Sequence, residues 1–165
     1  MHRLLPALFL ACFALVLAPG AFAQVTDGTN IGNLDQDRAR TKEIRDARQV
    51  IDDYPAENWR TAAYLLIELT PNEDGSATLT IAEKDRLKLL GIKKAEPQTA
   101  TSWLVADPDR IKLQVNYYQT KQEVACSVPK KLRGQAVTLG IFKVYESQVE
   151  CFVRLAEGPA ASPSP

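Results

Sequence analysis

The stretch Arg110-Ile111-Lys112-Leu113-Gln114-Val115-Asn116-Tyr117-Tyr118-Gln119 alternates almost from end to end. Ile111, Leu113, Val115 and Tyr117 take one face, and Lys112, Gln114, Asn116 and Tyr118 take the other. A period of two with one apolar face describes a half-buried strand in an antiparallel sheet. The pattern recurs on both sides. Strands are expected at about Thr99–Ala106, Arg110–Gln119, Glu123–Val128, Gln135–Tyr145 and Gln148–Leu155. The links are Asp107-Pro108-Asp109, Thr120-Lys121-Gln122, Pro129 to Gly134, and the Glu146-Ser147 corner. In the fourth strand Val137, Leu139 and Ile141 alternate, then Phe142 and Val144 take over, and a bulge near Gly140 would absorb the change of phase. Residues 99–155 therefore read as a five-stranded antiparallel sheet, or a small barrel of the oligonucleotide/oligosaccharide-binding (OB) or SH3-like kind.

Two cysteines fit this scheme. Cys126 shares a face with Val124 and Val128, and Cys151 shares one with Val149, Val153 and Leu155. Both faces point inward, so the thiols can meet across the core. Their separation of 25 positions is not the CxxC spacing of a redox pair. A structural disulfide is expected in preference to a buried free pair, worth about 3 kcal/mol for a loop of this size.

Upstream, Leu34 to about Tyr54 carries a helical stripe of Ile44, Ala47, Ile51 and Tyr54, with Val50 beside it. Asn33 can cap its start and Pro55 stops it. Lys42 with Asp46 and Arg48 with Asp52 stand at i,i+4 spacing. About two apolar heptads are too few for a coiled coil, so this amphipathic helix is expected to pack on its own domain. Tyr64 to Ile81 admits two readings. The first is a β-hairpin, Tyr64–Thr70 and Ser76–Ile81, turning at Pro71 to Gly75. The second is a calcium loop of EF-hand type over Asn72 to Glu83, with Asn72, Asp74, Ser76 and Glu83 at positions 1, 3, 5 and 12. Asn72 stands where Asp is usual, Ala77 where Gly is usual, and Pro71 blocks an entering helix, so the hairpin is adopted. Ile81 to Leu90 reads as a short helix, with Thr80 and Glu83 as its capping box.

The chain ends bear on location. Met1-His2-Arg3, an apolar run from Leu4 to Leu17, and Ala21-Phe22-Ala23 make a secretory signal peptide, residues 1–23. The run is short for a membrane span, and Cys12 lies too early in it for lipidation. Residues 24–33 read as a flexible leader, 34–155 as a single α+β domain, and 156–165 as a disordered tail. Cleavage leaves 142 of the 165 residues, no transmembrane span, and 19 Lys and Arg against 20 Asp and Glu. That balance argues against a protein driven to polyanions by bulk charge. His2 is the only histidine, so the mature chain has no His-based nucleophile pair and no His metal ligand. A periplasmic or secreted, non-catalytic protein with no cofactor is expected.

Candidate sites are few. Lys130, Lys131 and Arg133 make a basic loop, and Tyr118 and Phe152 are expected on outer strand faces. Basic groups beside aromatics can bind single-stranded nucleic acid, a ligand out of place beyond the cytoplasm. The function these residues suggest is recognition of another macromolecule in the envelope or outside the cell. The alternatives are a ligand- or glycan-binding module, a calcium-dependent structural protein, and a hydrolase. The hydrolase would use two carboxylates from Asp107, Asp109, Glu123 and Glu150. Nothing in the pattern fixes the oligomeric state.

Overall fold

The computed structural model describes residues 30–92 and 95–157. The signal peptide, residues 24–29 of the leader and residues 158–165 of the tail lie outside them. In chain order the elements are α1 (Asn30–Asp52), α2 (Ala56–Ala62), β1 (Leu65–Pro71), β2 (Ala77–Ile81), β3 (Leu87–Leu89), β4 (Glu96–Thr99), β5 (Ser102–Val105), β6 (Arg110–Tyr117), β7 (Thr120–Ser127), β8 (Val137–Tyr145) and β9 (Gln148–Leu155). Short 3-10 turns stand at Lys84–Arg86 and Lys130–Leu132. The class is α+β, as expected. All strand pairs are antiparallel, in a six-stranded sheet ordered β4-β5-β2-β1-β8-β9 and a three-stranded sheet ordered β3-β6-β7.

The expectation of five strands is corrected in three places. First, the hairpin β1–β2 is not a separate unit. Strand β1 lies between β2 and β8, with Ile67 opposite both Ile81 and Leu139, so its inward row continues theirs. Second, Ile81 to Leu90 is not a helix. After one 3-10 turn the chain enters β3, where Leu87 meets Val115 and Leu89 meets Leu113. Residues two apart share a face only in a strand, so the packing of both half-buried leucines on the core selects the strand. Third, the link after the Arg110 strand is shorter than expected. Tyr118 and Gln119 turn the chain by themselves with φ of +42° and +66°, so Thr120 already pairs with Tyr117.

The main core lies between the two sheets. Ile67, Leu79, Val105, Leu113, Val115, Leu139 and Ile141 are fully enclosed there. Cys126 on β7 is bonded to Cys151 on β9, with Sγ–Sγ 2.02 Å, so the expected disulfide ties an edge of one sheet to an edge of the other. A second cluster forms where the helices cover the outer face of β8 and β9. It contains Ile51, Trp59, Phe142 and Val144, with Ala47, Tyr54 and Phe152 packed against it.

Strand β8 is therefore buried on both faces, which explains its apolar run. No bulge occurs at Gly140, which pairs in register with Leu66 and Phe152; the irregularity falls between Lys143 and Tyr145. Glycine is required at 140 for another reason. A Cβ there would stand 2.9 Å from the Trp59 ring and 2.4 Å from Phe142.

Of the expected stripe Ile51 is buried, while Ile44, Ala47 and Tyr54 are half-buried and Tyr54 lies past the end of α1. The helix begins at Asn30, so residues 30–33 of the expected leader are helical and Asn33 is not a cap. Residues 32–43 are exposed throughout. Arg48 does not pair with Asp52 but reaches β9, where Nε and Nη2 donate to the Glu150 carboxylate at 2.7 and 2.8 Å. Among the described residues no helix is long and apolar enough to cross a membrane.

Candidate functional site

The basic loop is a built turn. The Leu132 N–H donates to the Pro129 carbonyl at 2.8 Å, and Gln135 Nε2 donates to the Lys131 carbonyl at 2.9 Å. Gly134 closes the turn with φ of +71°, a conformation that favours glycine. Arg133 Nη1 lies 3.0 Å from Asp109 Oδ2. Lys130 and Lys131 are exposed and make no ion pair among the described residues. Leu132, Arg133, Gly134 and Gln135 form one wall of a cleft of about 450 Å³. The rest of its lining includes the β1–β2 turn, through Asn72, Gly75 and Ser76, and the Asp107-Pro108-Asp109 turn.

The β1–β2 turn is held by its own side chains. Ser76 is buried, its hydroxyl donates to Asp74 Oδ1 at 2.5 Å, and its N–H donates to the same oxygen at 2.9 Å. Asn72 Nδ2 donates to Ser76 Oγ at 2.9 Å. The Ser76 hydroxyl, then its N–H, hold the Asp74 carboxyl below its ordinary value. Asn72, Asp74 and Ser76 thus gather at one end of β2, while Glu83 lies beyond the other end and pairs with Arg86 at 2.5 Å. The four residues of the calcium reading are not brought together. Among the described residues no group of three or more Asp, Glu, Cys or His side chains could hold a metal.

Tyr118 and Phe152 are not beside the basic loop. Tyr118 sits at the far turn of the β6–β7 ribbon, a full strand of eight residues away, roughly 27 Å along the chain. It is 78% exposed. Its ring meets Tyr117 edge-on at 4.6 Å, and Tyr117 meets Tyr64 at 4.7 Å. Arg86 stacks over Tyr64 at 4.7 Å. Burial, then the neighbouring Tyr118, raise the Tyr117 hydroxyl above its ordinary value. Phe152 is half-buried on the helix side of β9, its ring 5.7 Å from Phe142. Neither Tyr118 nor Phe152 lines any of the five main clefts.

The carboxylates named for hydrolysis are dispersed or engaged. Asp107 and Asp109 share the cleft, but Asp107 Oδ1 accepts the Asp109 N–H at 3.3 Å and Asp109 pairs with Arg133. Glu150 is held by Arg48, and Glu123 stands on the exposed face of β7.

A neighbouring cleft escaped the sequence reading. It measures about 500 Å³ and is lined by Arg60, Glu68, Thr70, Thr138, Arg154 and Glu157, among others. Leu69 and Val137, paired across β1 and β8, border both clefts, so the two are adjacent. The Arg154 guanidinium lies over the Trp59 ring at 5.1 Å. No linear motif marks this site, because Glu68, Thr138 and Arg154 come into one row only through strand pairing. No family model, curated protein or solved structure matches the chain.

Proposed function

We propose that this chain is an exported, non-catalytic protein that binds another macromolecule with the end of the domain carrying Lys130, Lys131 and Arg133. One observation carries the reading. Two lysines without ion-pair partners among the described residues stand on a hydrogen-bonded turn at the rim of a cleft. A fixed pair of free cations favours an acidic partner and speeds its encounter. The partner belongs to the envelope or the extracellular space, reached through the signal peptide 1–23, and nucleic acid is not expected there. The domain 34–155 works between a leader and a tail in this reading. The Cys126–Cys151 bond is compatible with an oxidising compartment. Closure of the two sheets into a small barrel of OB or SH3-like kind belongs to the same reading, supported by the bond joining β7 to β9.

The test is cross-linking in the native envelope and culture medium, using protein tagged in the tail. Wild type should capture one reproducible macromolecule, and a Lys130→Ala/Lys131→Ala variant should lose it. Arg133 is left intact because its removal would also unpair Asp109. Equal capture by the variant, or no capture by wild type, would overturn the proposal.

A further inference from the structure

We infer that the cleft between α2 and the β1–β8–β9 face binds a carboxylate, with Arg154 as its anchor. Among the described residues Arg154 Nη1 is the one buried side-chain nitrogen or oxygen without a hydrogen-bond partner. Nη1 is covered by the chain, whereas Nε and Nη2 are not, and none of the three has a hydrogen-bond or ion-pair partner among the described residues. The Nε–Nη2 edge at the cleft is therefore the part that can take an acceptor from outside the chain. The stacking on Trp59, itself buried, holds the guanidinium in place beforehand. The planar fork of arginine matches a carboxylate in two parallel hydrogen bonds.

The surroundings select the anion. Glu68, Thr138 and Arg154 stand in register across three strands and line the same cleft. Thr138 and Thr70 bring hydroxyl groups to the cleft, and neither makes a side-chain hydrogen bond among the described residues. Glu68 makes no ion pair among the described residues and adds a negative charge to the cleft. Arg60 and Arg154 are balanced in the cleft by Glu68 and Glu157, so a dianion finds no excess positive charge to offset its larger desolvation, which favours carboxylate over phosphate. Arg60 adds a second cation at the rim, engaged only at 3.9 Å by exposed Glu157. The source of the carboxylate, an acidic segment of the partner, rests on the function proposed above; carboxylate binding itself does not.

The probe is sodium acetate, titrated at constant ionic strength against chloride into the purified chain 24–165 with its disulfide intact. The signals followed are the Trp59 indole N–H and the Arg154 Nε–H in nitrogen-15 spectra. Both should shift saturably with acetate. Arg154→Gln and Arg154→Lys should each weaken the acetate effect on Trp59 by about tenfold or more, the loss of a charge-assisted bond. Glu68→Gln should tighten it. Amide dispersion from the inter-sheet core checks that each variant is folded. Absence of an acetate-dependent shift, an equal response in folded Arg154→Gln, or tighter binding of inorganic phosphate than of acetate would overturn the assignment. Lys130→Ala/Lys131→Ala should leave the acetate response unchanged, so failure of the partner experiment and failure of this one are separable.

Discussion

Between the sheets, aliphatic side chains from β1, β2, β6 and β8 interlock, and a covalent bond joins the sheet edges. Beneath the helices, aromatic rings meet edge to face: Trp59 on Phe142 at 5.0 Å, and Phe142 on Phe152 at 5.7 Å. The first cluster has no buried polar atom left unpaired among the described residues. The second borders the Arg154 guanidinium, which does. The difference separates tasks within one small domain. The inter-sheet core holds the fold, and the helix-side cluster holds the Arg154 guanidinium against the Trp59 ring.

Phe142 should be the most sensitive point of the helix side, since its ring touches Tyr54, Trp59 and Phe152. Phe142→Ala should lower stability by about 3–5 kcal/mol in denaturant unfolding. A loss below about 1 kcal/mol would show that the helices contribute little. Removing the disulfide with Cys126→Ala/Cys151→Ala should cost about 3 kcal/mol and leave the Trp59 environment unchanged in fluorescence. A shifted Trp59 spectrum would show that the two clusters are coupled. Gly140→Ala should cost about 1–3 kcal/mol through overpacking against Trp59, and it should also weaken the acetate response at Arg154.

Smaller effects belong to the turns. Gln119→Gly should raise stability by about 0.5–1 kcal/mol, because φ of +66° suits glycine better than glutamine. The Asp74 carboxyl, held below its ordinary value by Ser76, favours the folded state once ionised. Its contribution is present above the unfolded value, about pH 4, and is lost as pH falls through the lower folded value. The gap in melting temperature between wild type and Asp74→Ala should therefore close on acidification; a gap that stays constant would deny the linkage.

The sequence made the strands of the last third legible because alternation survives wherever one face is wet, as in β6 and β7. Strand phase alone placed Cys126 and Cys151 face to face. The reading failed where burial obscures the period. Strand β8 is covered on both sides, so its apolar run looked like a change of phase, and Gly140 looked like a bulge. Leu87 and Leu89 were assigned to a helix because three residues are too few to show a period. Helix α2 was missed because it is a single short element holding Trp59. The basic loop was visible as charge, and its cleft was not, since Asn72, Asp109 and Arg133 meet only in the fold. Arg154 gave no signal because its partners on the row, Glu68 and Thr138, are 86 and 16 positions away.

The most direct measurement places a photoreactive cross-linker at exposed position 127, beside the basic loop, in one sample and at position 118 in another, in the native compartment. The two positions mark opposite ends of the β6–β7 ribbon and leave Lys130 and Lys131 intact. Capture of one macromolecule from position 127, lost on competition with unlabelled protein and absent from position 118, is the expected result. Capture of the same macromolecule from position 118 but not from 127 would contradict the basic end as the binding surface.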